Sequence, residues 1–249
     1  MQGAAIEVED LSKRFGRVVA VDGVSFAVRR GSVTALLGGN GAGKTTTIGM
    51  LLGLVLPSAG RIRVLGVDML RQRHRALARM NFSSPYVDLP HRLSVAENLR
   101  VYARLYGLGQ SRARVEEIAG RLGFAELLQR RTGSLSAGQR TRVALAKALI
   151  NQPEVLLLDE PTASLDPDSA DWIRDYLARY QRDSGATILL ATHNMGEVER
   201  LADEVVMLGR GRIVDAGSPK ALLERYGRST MEEVFLAIAR GDGGRRAAE

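Results

Sequence analysis

One octapeptide constrains this chain more than any other feature. Gly38-Gly39-Asn40-Gly41-Ala42-Gly43-Lys44-Thr45 stands between an apolar run at 33–37 and a stretch of helical character at 45–56. The run reads as a buried strand. A strand that ends in a glycine-rich loop and continues as a helix is a unit of an open α/β sheet, and it makes the loop a phosphate cradle. Gly38, Gly41 and Gly43 allow backbone conformations that a Cβ would hinder, so successive N–H groups can turn inward on an anion. The helix that follows adds the positive end of its dipole. The spacing fits G-x-x-x-x-G-K-S/T, in which Lys44 reaches the β- and γ-phosphates and the Thr45 hydroxyl ligates Mg²⁺. Gly39, Asn40, Ala42 and Thr46 complete the expected nucleotide-binding set.

A second apolar run, 155–158, ends in Asp159-Glu160. Two carboxylates at the C-terminal end of a buried strand lie where open α/β sheets bind ligands. Asp159 is expected to hold Mg²⁺, directly or through water. Glu160 is the better general base for the water that attacks a γ-phosphate. Further back, Leu135-Ser136-Ala137-Gly138-Gln139 introduces a helix. Ser136 with Gln139 three residues later makes a capping box, and a capped, glycine-containing helix start is another anion site. One chain with two such sites points to action on a partner's ATP. His193 follows the apolar run 188–191, with Thr192 before it, and is expected to meet the γ-phosphate; a polar strand end is the plainer alternative.

On these residues the chain resembles the ATP-binding subunits of ABC transporters over about residues 4–218. Leu135 to Gln139 is similar to that family's LSGGQ signature, with Ala137 in place of one glycine. Ser164-Leu165-Asp166 resembles the D-loop, His193 the switch histidine, and Phe15 the aromatic residue that stacks on adenine, although an edge residue of a hairpin is the alternative for Phe15. The resemblance implies ATP and Mg²⁺ as ligands. It implies a head-to-tail dimer, with each ATP held between one chain's 38–46 and the other's Ser136, Ala137, Gly138 and Gln139. It also implies an integral membrane permease as partner and a place on the cytoplasmic face of the cell membrane. Two departures stand out. The family's Q-loop glutamine has no counterpart at 80–86, where Ser84 or Pro85 falls at its position, so the coupling role passes to no side chain here. Gly39 replaces a proline common in the family's loop, which loosens the unfolded chain and lowers stability slightly.

Composition removes other readings. There is no cysteine, hence no disulfide and no thiolate metal site. No apolar run approaches about 18 residues, so no membrane span is expected, and residues 1–10 lack a signal pattern. Of 35 basic residues all but Lys13, Lys44, Lys147 and Lys220 are arginine, and against 28 acidic ones they leave a net charge of +7. The arginines are scattered, with little aromatic interleaving, so a solvated surface near anionic headgroups is expected rather than a nucleic-acid site. A nucleic-acid- or ribosome-associated ABC ATPase is the alternative function, disfavoured because no coiled-coil insertion and no second nucleotide unit is visible.

Strands are expected at 6–11, 18–19 and 24–28 in an antiparallel part, at 33–37 and 62–64, and again at 155–158, 188–191, 205–208 and 213–214. Helical periodicity falls at 95–106, 112–122, 137–150 and 169–184. The expected fold is thus α/β: a P-loop NTPase parallel-sheet core, an N-terminal antiparallel β part and an inserted helical subdomain at about 85–150. The ATPase domain is expected over 1–218, a helical extension over 219–240 and a disordered tail over 241–249. Residues 86–99 are the expected docking surface, with Phe82, Tyr86, Leu89 and Leu93 either groove or core residues. Gly217-Ser218-Pro219, Leu222-Leu223 and 231–236 resemble exporter subunits of the drug, polysaccharide and nodulation-factor type.

Overall fold

The computed structural model describes residues 3–240 apart from 86 and 164. The tail expected at 241–249, Tyr86 and Ser164 lie outside the described residues. The chain opens with a hairpin of two long strands, β1 (Ala4–Phe15) and β2 (Val18–Arg29). This corrects the three short strands expected there. The ladder runs through the polar residues because bulges beside Leu11 absorb the broken alternation. Side chains also join the ladder, with Ser12 Oγ accepting from Gly23 N at 2.9 Å and Ser25 Oγ from Asp10 N at 2.8 Å.

Next come β3 (Val33–Leu37) and α1 (Lys44–Leu51). The helix stops earlier than its apolar pattern predicts, because the N–H groups of Leu54 and Val55 both turn back to the Gly49 carbonyl ahead of Pro57. Then follow β4 (Ala59–Val64), β5 (Val67–Asp68), α2 (Arg73–Leu77) and β6 (Met80–Ser83). β4 pairs with β1, not with the parallel core as its place after α1 implied. β6 is unforeseen: four residues containing a buried Asn81 carry no strand signal of their own. Three helices, α3 (Val95–Leu105), α4 (Ser111–Arg121) and α5 (Ala137–Leu149), separate it from β7 (Val155–Asp159). The chain closes with α6 (Pro167–Ser184), β8 (Thr187–Thr192), α7 (Met195–Leu201), β9 (Glu204–Gly209), β10 (Arg212–Gly217), α8 (Pro219–Tyr226) and α9 (Met231–Arg240).

The strands form a four-stranded antiparallel sheet, β2-β1-β4-β5, and a six-stranded sheet, β10-β9-β3-β8-β7-β6, parallel except for its β10 edge. Every residue of β3, β7 and β8 is buried, as continuous apolar runs covered on both faces require. One apolar cluster fills the space between the two sheets around α1; a second joins the other face of the parallel sheet to α3–α6; a third lies under α7–α9. Trp172 and Tyr176 on α6 stack at 5.4 Å within the second cluster, as packing residues. Register does the rest: Leu37 lies opposite Thr192 and Asp159 opposite Ala191, so the loops leaving β3, β7 and β8 share one edge.

The helices are tied to the sheet by a buried cation. Lys147 on α5 is 8 % exposed; its Nζ donates to the Phe82 carbonyl at 2.6 Å and lies 5.6 Å from the Tyr102 ring centroid. Asn81 Nδ2 returns the tie by donating to the Lys147 carbonyl at 3.1 Å. Burial pulls the Lys147 ammonium down to about 8. Below pH 8 the folded chain holds a charge it disfavours, and that penalty lifts as pH rises from there toward the ordinary lysine value. The shift is worth about 3 kcal/mol. Urea unfolding of wild type and Lys147→Met at pH 7.5 and pH 10 is expected to show wild type gaining on the variant at the higher pH; a constant difference would contradict it.

Candidate functional site

The loop after β3 needs glycine for two different reasons. A Cβ on Gly38 would stand 2.7 Å from the Leu208 carbonyl and 2.9 Å from Ala42 Cβ. Gly43 adopts φ 103°, and its Cβ would stand 2.7 Å from the Ala20 carbonyl of β2. The loop is thus wedged between β9 and the N-terminal hairpin. Gly39 is under no such constraint: its nearest neighbour on that side is the Phe235 ring of α9, at 4.0 Å. Lys44 is 7 % exposed and curls back, donating to the Gly38 carbonyl at 2.6 Å and the Gly39 carbonyl at 3.3 Å.

Thr45 Oγ1 donates to Asp159 Oδ2 at 3.1 Å. The other oxygen of Asp159 is buried and has no hydrogen-bond partner among the described residues. Burial pushes the Asp159 carboxyl above the usual carboxylate range, against the bond from Thr45. A buried carboxylate oxygen without a donor beside a threonine hydroxyl is a hard oxygen pair suited to Mg²⁺. Glu160 adopts φ 50°, the left-handed region that non-glycine residues rarely occupy. Its N–H donates to the Ala191 carbonyl at 2.8 Å, and its carbonyl accepts from Ala163 N at 3.1 Å. That bend turns its carboxylate toward the phosphate loop, 3.5 Å from Lys44 Nζ and 2.7 Å from His193 Nδ1. Strain of this kind persists where the surroundings enforce it, and it clusters at functional sites.

These residues, Gly38 to Thr45, Asp159, Glu160 and His193, meet at one edge of the parallel sheet, and Thr46 follows on the first turn of α1. The other expected site residues lie elsewhere. Phe15 ends β1, half exposed, with Lys13 Nζ 4.9 Å from its ring centroid. Ser136 and Gln139 bond each other in the expected capping box, at 3.3 Å and 3.0 Å, with Ser136 and Ala137 exposed at the start of α5. Gly138 lies against α6, where a Cβ would come 3.0 Å from Ser169 Oγ. Asp166 caps α6, accepting from Ser169 N at 2.9 Å; that backbone bond holds its carboxyl below the usual range. Of the expected groove residues, Leu89 is buried and Phe82 packs against the sheet cluster. Ser84 follows β6 and is buried. Two residues at this edge carry no sequence signal that singles them out. Phe235 reaches the loop only because α9 folds back under β3, and Glu197 lies buried behind His193.

Residues 21–163 match the family described as ABC transporter. The chain belongs to the ABC transporter family of ATP-binding proteins. It is similar to the Nod factor export ATP-binding protein I of Ralstonia nicotianae, 43 % identical over 233 residues that span 92 % of this chain and 72 % of that one. It is likewise similar to the ABC transporter ATP-binding protein NatA of Bacillus subtilis, 36 % identical over 244 residues, 95 % of this chain and 99 % of that one. A solved structure described as the ATP binding subunit of an ABC transporter superposes with a TM-score of 0.86 at 28 % identity, covering 94 % of this chain and 99 % of the other. CbiO1 of Clostridium perfringens, part of the ABC transporter complex cbiONQ, gives 0.80 at 32 % identity over 95 % and 96 %. ABC transporter ATP-binding proteins are ATPases, so ATP is this chain's nucleotide. Among the described residues no helix is long and apolar enough to cross a membrane.

Proposed function

We propose that this chain is the ATP-hydrolysing subunit of a membrane exporter, working as a head-to-tail dimer at the cytoplasmic face of the cell membrane. The observation that carries the chemistry is the convergence on Glu160 of Lys44 from the phosphate loop and His193 from the neighbouring strand end. In the working cycle Lys44 exchanges the Gly38 and Gly39 carbonyls for phosphate oxygens. Glu160 then accepts the proton of the attacking water, and His193 orients that carboxylate and meets the γ-phosphate. Thr45 and Asp159 would hold Mg²⁺, which when bound supplies positive charge against the developing phosphate charge. Phe15 offers its exposed ring to adenine.

The second half of each site comes from a second copy or a homologous subunit. Its exposed α5 start, with Ser136, Ala137, Gly138 and Gln139, presents a helix N-terminus to the γ-phosphate, and Asp166 lies in the same region of the contact. Export, rather than import, is favoured by the names of the Nod factor export relatives and by the likeness of 217–236 to exporter subunits. Membrane coupling is supported by the likeness to a component of cbiONQ. The test is affinity purification of the tagged chain from detergent-solubilised cells. A multi-span membrane protein in stoichiometric amount is expected. Recovery with ribosomes or DNA and no membrane protein would overturn the reading.

A further inference from the structure

Glu197 sits in the first turn of α7 and is 1 % exposed, deeper than any other acidic residue of the site apart from Asp159. It is not one of the groups that the proposed hydrolysis uses. Its Oε1 accepts from the Thr162 hydroxyl. Thr162 lies two residues past Glu160, and α7, which carries Glu197, begins two residues past His193. One carboxyl therefore ties the loop that carries Glu160 to the helix that follows His193.

The same grip is buttressed on both sides. Thr192 Oγ1 accepts from Asn194 N at 2.9 Å, and Asn194 in turn caps α7 through Gly196 N at 2.9 Å. Ala163 N returns to the Glu160 carbonyl at 3.1 Å, closing the turn that holds Glu160 at φ 50°. Burying a carboxyl away from water is unfavourable by several kcal/mol unless its neighbours answer it. Here its second oxygen has no partner among the described residues. A leucine or methionine would fill the space under α7 with less penalty, so packing alone does not account for an acid at this position.

We propose that Glu197 is a positioning residue for ATP hydrolysis, which ties Thr162 to the first turn of α7 and thereby sets Glu160 against His193. This rests on the reading of Glu160 and His193 given above. It acts on geometry and not on nucleotide affinity, since Thr162 lies outside the phosphate loop.

Steady-state ATPase kinetics on Glu197→Ala, Glu197→Gln and Thr162→Val, each with a thermal unfolding midpoint, test it. Misplacing a reacting group by about 1 Å lowers rates by up to about 100-fold, so Glu197→Ala is expected to lose at least about ten-fold in kcat with KM within about two-fold. Glu197→Gln keeps an oxygen for the Thr162 hydroxyl and is expected to retain more than about half of kcat. If Glu197→Ala does not fold, Thr162→Val, which removes one hydroxyl at constant shape, is expected to lower kcat several-fold at unchanged KM. Unchanged kcat in a folded Glu197→Ala, or an equal rise in KM in all three variants, overturns the proposal. Glu160→Gln run beside them separates the two levels. An inactive Glu160→Gln with a fully active Glu197→Ala removes only the role of Glu197. A fully active Glu160→Gln removes the reading beneath it.

Discussion

Glu160→Gln is expected to bind Mg-ATP and to hydrolyse it at least about 100-fold more slowly than wild type, the range set by loss of a general base. The substitution keeps the size of the side chain and the strained backbone, because the bonds that enforce φ 50° come from the main chain of Ala191 and Ala163. What it removes is the carboxylate that faces Lys44 at 3.5 Å and His193 at 2.7 Å. Losing that charge leaves Lys44 free to turn to phosphate, so ATP affinity is expected to hold or to rise. The bound state then persists, and a dimer should accumulate with ATP in size-exclusion chromatography. Phosphate release at the wild-type rate would remove Glu160 from the base role. Lost ATP binding with lost turnover would mean instead that Glu160 organises the phosphate loop.

Local chemistry makes much of this site legible in the residues themselves. A glycine-rich loop between a strand and a helix has few conformations open to it, and Asp159-Glu160 at the end of a four-residue apolar run could only leave a buried strand. The capping box at Ser136 is equally local, three residues from donor to acceptor. The parallel core, the antiparallel start and the helices between β6 and β7 follow from periodicity. What periodicity misses is set by distant partners. β6 is a strand because β7 offers it a ladder, with Met80 opposite Val155, and not because Asn81 or Ser83 favours one. β1 and β2 run long because bulges and serine side chains repair a ladder whose alternation is broken. β4 joins the other sheet because its partner is β1, a preference written in no local pattern. Phe235 and Glu197 are hidden for the same reason. The one signal for Glu197 is an acid in the first turn of α7, where a surface charge that complements the helix dipole reads identically.

Lys44→Ala is expected to weaken ATP binding at least about 100-fold, because removing one partner from a buried charged contact costs about 3–5 kcal/mol. Lys44 reaches the bend of its loop from inside, 7 % exposed, with its ammonium on the carbonyls of Gly38 and Gly39 and 3.5 Å from Glu160. Alanine supplies neither charge nor reach, and Glu160 then faces the phosphate with no positive group between them. Lys44→Arg is not expected to rescue, since the guanidinium is a planar fork and this pocket accommodates a compact ammonium. Isothermal titration with ATP and Mg²⁺, on variants with an unchanged thermal midpoint, reads the effect directly. Wild-type affinity in Lys44→Ala would mean that the backbone amides and the α1 dipole hold the triphosphate alone, and that Lys44 serves the folded loop rather than the nucleotide.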